Sequence, residues 1–126
     1  MYRCALLAVA LASTPLLASA QVARNFPQNA WRGEIAFANP PDILLNGKPA
    51  RLAPGAKLRG QDNMVVVSGA LQNQRVLAHY TIDTYGLVKD VWVLRPDEAA
   101  KTPWPRSAEE AARLQFDPAA QAWSKP

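Results

Sequence analysis

Between residues 63 and 96 the chain repeats one figure three times: an apolar or alternating run, then a polar or glycine break. Residues 64–68 (MVVVS) are almost continuously apolar, which predicts a short strand covered on both faces. Gly69 permits a bend after it, having no Cβ to restrict the backbone, and Gln72-Asn73-Gln74 is a polar connection. Residues 75–84 alternate. Val76, Ala78, Tyr80 and Ile82 share one face, and Leu77, His79, Thr81 and Asp83 share the other. Tyr85-Gly86 makes a turn, with glycine free to take positive φ, and residues 87–94 return. Closing this hairpin predicts the cross-strand pairs Tyr80–Val91, Ala78–Val93, His79–Trp92 and Thr81–Asp90. The face with Tyr80 and Val91 is the core face. On the opposite face Trp92 and Leu94 need cover from another part of the chain.

The flanks extend the pattern. Residues 31–37 alternate, with Trp31, Gly33, Ile35 and Phe37 on one face and Arg32, Glu34 and Ala36 on the other. Asn46-Gly47 lies between the apolar runs of residues 42–52, the strongest short hairpin signal, since a type I′ turn needs positive φ at both positions. Ala53-Pro54-Gly55 predicts a further turn, and residues 56–59 a separate short strand with Leu58 inward. About six short strands at close spacing predict a mainly β fold, a sandwich or barrel. The expected architecture is a small, antiparallel, partly open barrel of the oligonucleotide/oligosaccharide-binding (OB-like) kind, with an SH3-like roll second.

After Leu94 the pattern changes. Arg95-Pro96 ends the sheet, and Ser107-Ala108-Glu109-Glu110 fits a capping box, Ser107 accepting from the N–H three residues on and Glu110 reaching back. The predicted helix, 108–115, is too short to stand alone. It must dock, and Trp104 and Trp123 on either side of it are the expected anchors. The tail of residues 104–123 is therefore expected to cover the sheet face that carries Trp92 and Leu94.

The first twenty residues read as a secretory signal peptide: Arg3, an apolar run, then Ala18-Ser19-Ala20 as a small-x-small cleavage site. The apolar run is too short to span a bilayer and contains Pro15. The expected organisation is a leader 1–20 cleaved after Ala20, an extended segment 21–30, a β-domain 31–96 and a C-terminal segment 97–126. The expected location is the periplasm, with no transmembrane segment after processing. Cys4, the one cysteine, leaves with the leader, so thiol catalysis, disulfides and cysteine-ligated metals are excluded from the processed chain. The chain carries 14 Lys and Arg against 10 Asp and Glu, a formal net charge of +4. These charges are scattered, which reads as a solvated surface with at most a weak attraction to an anionic envelope polymer. Nucleic acid is not an expected partner for an exported chain.

Candidate chemistry is sparse. His79 is the one histidine, and Asp83 on the same strand face lies about 13 Å from it at ~3.3 Å per residue, too far for a direct pair. No Gly-x-Ser-x-Gly elbow surrounds Ser68, and no cluster of metal ligands appears. No catalytic residue, metal or cofactor is therefore assigned. The candidates for ligand binding are Asp62 and Asn63 in one loop, Asp83 and Tyr85 in another, and Trp92 as a stacking surface, because function concentrates in loops and on aromatic faces. The first four are equally good turn formers.

The segments FPQNAWRGEI (26–35), ILLNGKPARLAPGAKLRGQDN (43–63) and YTIDTYGLVKDVWVLRPDE (80–98) resemble an uncharacterised family of short exported proteins of Gram-negative bacteria. The resemblance implies export and a shared compact fold, and no activity. A looser similarity to periplasmic OB-type domains bears on the fold alone. The expected function is that of an exported, non-enzymatic β-domain binding a ligand, an envelope polymer or a protein partner. The alternative is a small hydrolase using His79 or the loop carboxylates Asp62 and Asp83.

Overall fold

The computed structural model describes residues 23–126, so the predicted leader lies outside the described residues. The elements are β1 (Trp31–Asn39), β2 (Asp42–Leu45), β3 (Lys48–Arg59), β4 (Val65–Val66), a 3-10 turn (Ser68–Leu71), β5 (Arg75–Ile82), β6 (Val88–Val93), α1 (Pro96–Ala99), α2 (Ala108–Ala111), β7 (Gln115–Asp117) and β8 (Ala122–Ser124). Five strands close a barrel, each pairing with the next in the order β1–β2–β3–β6–β5 and back to β1. All pairs are antiparallel except β3–β6, which is parallel.

The β5–β6 hairpin has the register that its alternation dictates: Ala78 opposite Val93, His79 opposite Trp92, Tyr80 opposite Val91 and Thr81 opposite Asp90. Its inward face joins Ile35 and Phe37 of β1, Ile43 of β2, and Leu52 and Leu58 of β3 in one buried cluster, which fills the barrel. The Asn46-Gly47 turn has φ of 53° and 81°, the left-handed values of a type I′ turn. Asn46 is also tied back to β1, its Oδ1 accepting from Glu34 N at 2.9 Å.

The expected small β-barrel is present, closed and not partly open, and with one parallel pair at β3–β6. The chain departs from the sequence reading in three further places. First, residues 53–55 do not reverse the chain. β3 runs through them as one twelve-residue strand, and the turn residues produce a bulge instead. The ladder to β6 skips from Leu52–Val88 to Lys57–Asp90. Pro54 has no N–H to give a ladder and Gly55 has φ of 75°, so the chain bows out there and then resumes. This irregular stretch lies in the parallel seam that closes the barrel. Second, the apolar run at residues 64–68 is not a doubly covered strand. Only Val65 and Val66 pair, at the edge of β3, while Met64, Val65 and Val67 are exposed. The barrel is already closed by β2 and β6 on the two sides of β3, and only its far end is left for a sixth strand. Third, the C-terminal helix stops at Ala111. Residues 115–124 form a hairpin in which Phe116 faces Trp123 with ring centroids 4.9 Å apart. Asp117 Oδ1 accepts from Ala119 N and Ala120 N, an Asx turn that closes this hairpin at its tip.

The tail covers the outer face of β1, β5 and β6. Phe26 and Ala30 from the N-terminal segment and Trp104 and Trp123 from the tail bury Trp92 and Leu94 in a second apolar cluster. Trp104 Nε1 donates to Ala30 O at 2.9 Å, and Gln121 Oε1 accepts from Phe26 N at 2.7 Å, so the two flanking segments also hold each other. Each large side chain buried there contributes about 1.5–3 kcal/mol.

The turn gives the first test. A Cβ at Gly47 would meet nothing within 4 Å, so any cost of substitution is backbone strain alone. Gly47→Val should lose about 1–3 kcal/mol in urea denaturation. An unchanged midpoint would mean that the turn can relax out of its positive-φ form.

Candidate functional site

Beneath the tail the outer face of the barrel is not purely apolar. Arg24, Arg32, Arg95 and Glu98 are all more than nine-tenths buried there and are arranged around α1. This four-residue helix begins with Pro96, whose missing N–H is not needed at the first helical position. Glu98 reaches back to accept from Arg95 N at 2.9 Å, the reciprocal half of a capping box. The same carboxylate receives Arg24 bidentately, Nε on Oε2 at 2.8 Å and Nη2 on Oε1. Arg24 also donates through Nη1 to Gly60 O at 2.8 Å and through Nη2 to Val93 O at 2.7 Å. One side chain thus joins the N-terminal segment, the end of β3, β6 and α1.

Arg32 of β1 holds the other end of α1. Its Nη2 donates to Glu98 O at 2.9 Å and its Nη1 to Lys101 O at 2.8 Å and Ala99 O at 3.2 Å, which satisfies carbonyls that a helix end leaves open. Burial, with Arg106 nearby, pulls its pKa down from the usual arginine value, and Glu98 opposes that shift. Its Nε donates to His79 Nε2 at 3.3 Å. Nε2 is therefore the acceptor nitrogen and Nδ1 carries the proton of the neutral ring. Nδ1 has no hydrogen-bond partner among the described residues. The imidazole stacks on Trp104 at 4.1 Å and meets the edge of Phe26 at 4.4 Å. Burial, then the charges of Arg32 and Arg24, push its pKa down to about 2. His79 is 1% exposed, so it has neither the access nor the proton affinity that a general base needs.

An open cleft of about 670 Å³ lies beside this network. Arg59 and Trp92 are neighbours across the parallel β3–β6 pair and form its floor. Both point outward because the residues before them, Leu58 and Val91, point into the barrel. The walls are residues 23–25, the loop 61–63, and Arg95 with Pro96. The loop is held by its own bonds: Asp62 Oδ1 accepts from Met64 N at 3.0 Å, and Asn63 N donates to Gly60 O at 3.0 Å. Asn63 takes φ of 64°, which asparagine tolerates better than most residues. Gln61 Nε2 donates to Leu94 O at 3.0 Å, anchoring the loop to the strand end.

The structure brings three of the five sequence candidates together here: Asp62, Asn63 and Trp92. Trp92 is 8% exposed, packed under Phe26 in the outer cluster, so it borders the cleft without offering the stacking surface expected of it. Asp83 and Tyr85 are placed elsewhere, in the β5–β6 turn. Asp83 Oδ1 accepts from Tyr85 N at 2.8 Å and Leu87 N at 2.9 Å, which makes it a turn-forming side chain. Tyr85 is 86% exposed at the tip of that turn. Sequence reasoning missed Arg24, Asn25, Arg59 and Arg95. Only the start of α1 had a readable local signal: Pro96 suits a first helical position, and Glu98 two residues on can reach back to the Arg95 N–H.

Comparison with protein-family models, with curated proteins and with solved structures finds no match to the chain. Among the described residues no group of three or more His, Cys, Asp or Glu side chains is placed to hold a metal ion, and no helix is long and apolar enough to cross a membrane.

Two tests follow from the buried charges. The folded pKa of His79 lies below its ordinary 6.5, so between about 2 and 6.5 only the unfolded chain takes up this proton. Its stability contribution is complete above pH 6.5 and is lost as pH falls, by about 1.4 kcal/mol per unit. His79→Phe should remove that slope between about pH 6.5 and pH 5, as read from urea midpoints. Equal slopes in the two proteins would show that the ring accepts a proton while folded. Burial raises the pKa of Glu98, but hydrogen bonds from Arg24 and the Arg95 backbone more than offset this and hold it below the usual value. Glu98→Ala leaves Arg24 buried without its carboxylate and should cost about 3–5 kcal/mol. A loss below about 1 kcal/mol, the range of exposed pairs, would refute the clamp.

Proposed function

We propose that the protein is an exported, non-enzymatic binding domain and that the cleft over Arg59 and Trp92 is where it binds. The cleft itself carries the reading. Its volume of about 670 Å³ falls within the ~300–1,000 Å³ usual for ligand sites. Convergent polar groups line it, and it is set on strand ends that the barrel holds in place. The export reading is supported by the tripartite leader in the sequence and by the absence of cysteine from the chain that follows it. Its occupant is a ligand, an envelope polymer or a protein segment in the periplasm.

The non-enzymatic reading is supported by what the cleft does not bring together. Asp62 lines it, but Asp83 is spent on a distant turn and His79 is sealed under Trp104. An acid–base pair within reach of one reacting atom is not assembled from these residues.

Protein recovered from its own envelope fraction should have an intact mass lacking residues 1–20, and native mass spectrometry should find it carrying a bound species. Asn25→Trp places a bulky ring in the cleft mouth at an exposed position, where substitutions usually change stability by under about 0.5 kcal/mol. It should abolish the adduct. An unprocessed chain would sink the export reading, and an adduct retained by Asn25→Trp would sink the cleft as the binding place.

A further inference from the structure

We infer that the cleft takes an acidic saccharide: a sugar unit that carries one carboxylate on a frame of neighbouring hydroxyls. The inference rests on the cleft being the binding place and names the chemistry of its occupant. It begins from the charges. Three guanidiniums line the cleft, but Arg24 is committed to Glu98, and Arg95 pairs with Asp97 at 3.1 Å and with Glu98 at 3.6 Å. Arg59 makes no ion pair among the described residues, and it is half-buried on the cleft floor. A guanidinium so placed presents a planar fork of donors that matches a carboxylate.

The second charge narrows the class. Asp62 also lines the cleft, and only its Oδ1 is used, by Met64 N. Its other oxygen accepts nothing from the described residues and is open to a donor from a ligand. A phosphate dianion would meet Arg59 at the cost of facing this carboxylate. The loop does not supply the backbone N–H groups that phosphate sites use, since Asn63 N and Met64 N are already engaged. A neutral sugar would cover Arg59 without answering its charge. A zwitterion such as a dipeptide would satisfy both charges but brings a single peptide N–H and C=O to two side-chain amides, Asn25 and Asn63, each of which offers a donor beside an acceptor. Vicinal hydroxyls both donate and accept. They fit the two asparagines and Asp62 while a carboxylate on the same frame reaches Arg59.

Digalacturonate, its neutral counterpart galactobiose, inorganic phosphate and glycylglycine serve as probes, titrated into residues 21–126 by calorimetry, with amide shifts locating the site. Digalacturonate should bind, with shifts at residues 59–63 and 92–96, and should weaken as salt is raised. Galactobiose should bind about tenfold or more weakly, and Arg59→Gln should cost digalacturonate a similar factor, as loss of a charge-assisted hydrogen bond implies. Asp62→Asn keeps the loop acceptor and should weaken digalacturonate only modestly. Equal binding of the neutral sugar, or indifference to Arg59→Gln in a variant with an unchanged melting temperature, overturns the inference. Phosphate or glycylglycine binding at these residues in place of digalacturonate overturns the inference and leaves the cleft as the binding place. Silence of residues 59–63 and 92–96 to all four probes overturns the inference, and together with a native adduct unaffected by Asn25→Trp it overturns the cleft as the binding place as well.

Discussion

The ion pair of Arg24 with Glu98 joins the two flanks of the chain to the barrel. A five-stranded barrel of this length can bury its interior from strand residues alone, but here its outer face also carries Trp92, Leu94, His79 and Arg32. That face becomes stable only when the N-terminal segment and the tail lie over it together. Apolar contact among Phe26, Trp104 and Trp123 supplies area, but area is non-directional. Arg24 supplies direction: it has one carboxylate and two carbonyls to reach, on three different elements, and no other position of the N-terminal segment satisfies all of them. Breaking a buried pair costs more than forming it gains, because the surviving charge stays buried. The arrangement is therefore defended chiefly against partial loss.

A second consequence concerns α1. Four residues do not make a stable helix in water. This one persists because both of its ends are occupied by side chains, Glu98 on the Arg95 N–H and Arg32 on the closing carbonyls. Arg32 sits on β1 opposite His79, so the strand pair that shapes the barrel also sets the place of the helix outside it. His79 serves this geometry as the neutral acceptor for Arg32 and as a flat surface for Trp104. The acid sensitivity built into the ring follows from the same burial.

Alternation made the β5–β6 register legible, because a strand with one face in a core cannot slip by one residue without exposing it. Asn46-Gly47 made its turn legible for the equally local reason of positive φ. The need for the tail to cover Trp92 and Leu94 was legible as well, from apolar residues left over on the wrong face. Tertiary competition was not legible. Residues 64–68 look like a core strand, but the edges they would need are taken by β2 and β6, so Met64, Val65 and Val67 stay exposed. Ala53-Pro54-Gly55 looks like a reversal, but in a long strand that must bend around a barrel the same residues make a bulge. Arg24 and Arg32 look like solvated surface because nothing near them in sequence announces a carboxylate 74 residues on or carbonyls 66 to 69 residues on. In the sequence Asp62 and Asn63 stand out as loop residues and Trp92 as an aromatic, and only the parallel β3–β6 pairing, which no local pattern encodes, brings them to one cleft.

That cleft shares its walls with the clamp. Arg24 faces the cleft while its guanidinium is held by Glu98, Gly60 and Val93, and Gln61 of the loop is bonded to Leu94, a member of the buried outer cluster. A side chain held by four hydrogen bonds is a poor ligand contact but a rigid wall, and rigid walls lower the ordering cost of binding. Arg59 is the contrasting case. It stands one residue past Leu58, which is fixed in the core, and it has no acid partner among the described residues. The fold thus holds the cleft in shape with three segments while leaving at its floor a charge not used to hold them. The division between committed arginines and an uncommitted one separates the part of this surface that serves stability from the part available to a ligand.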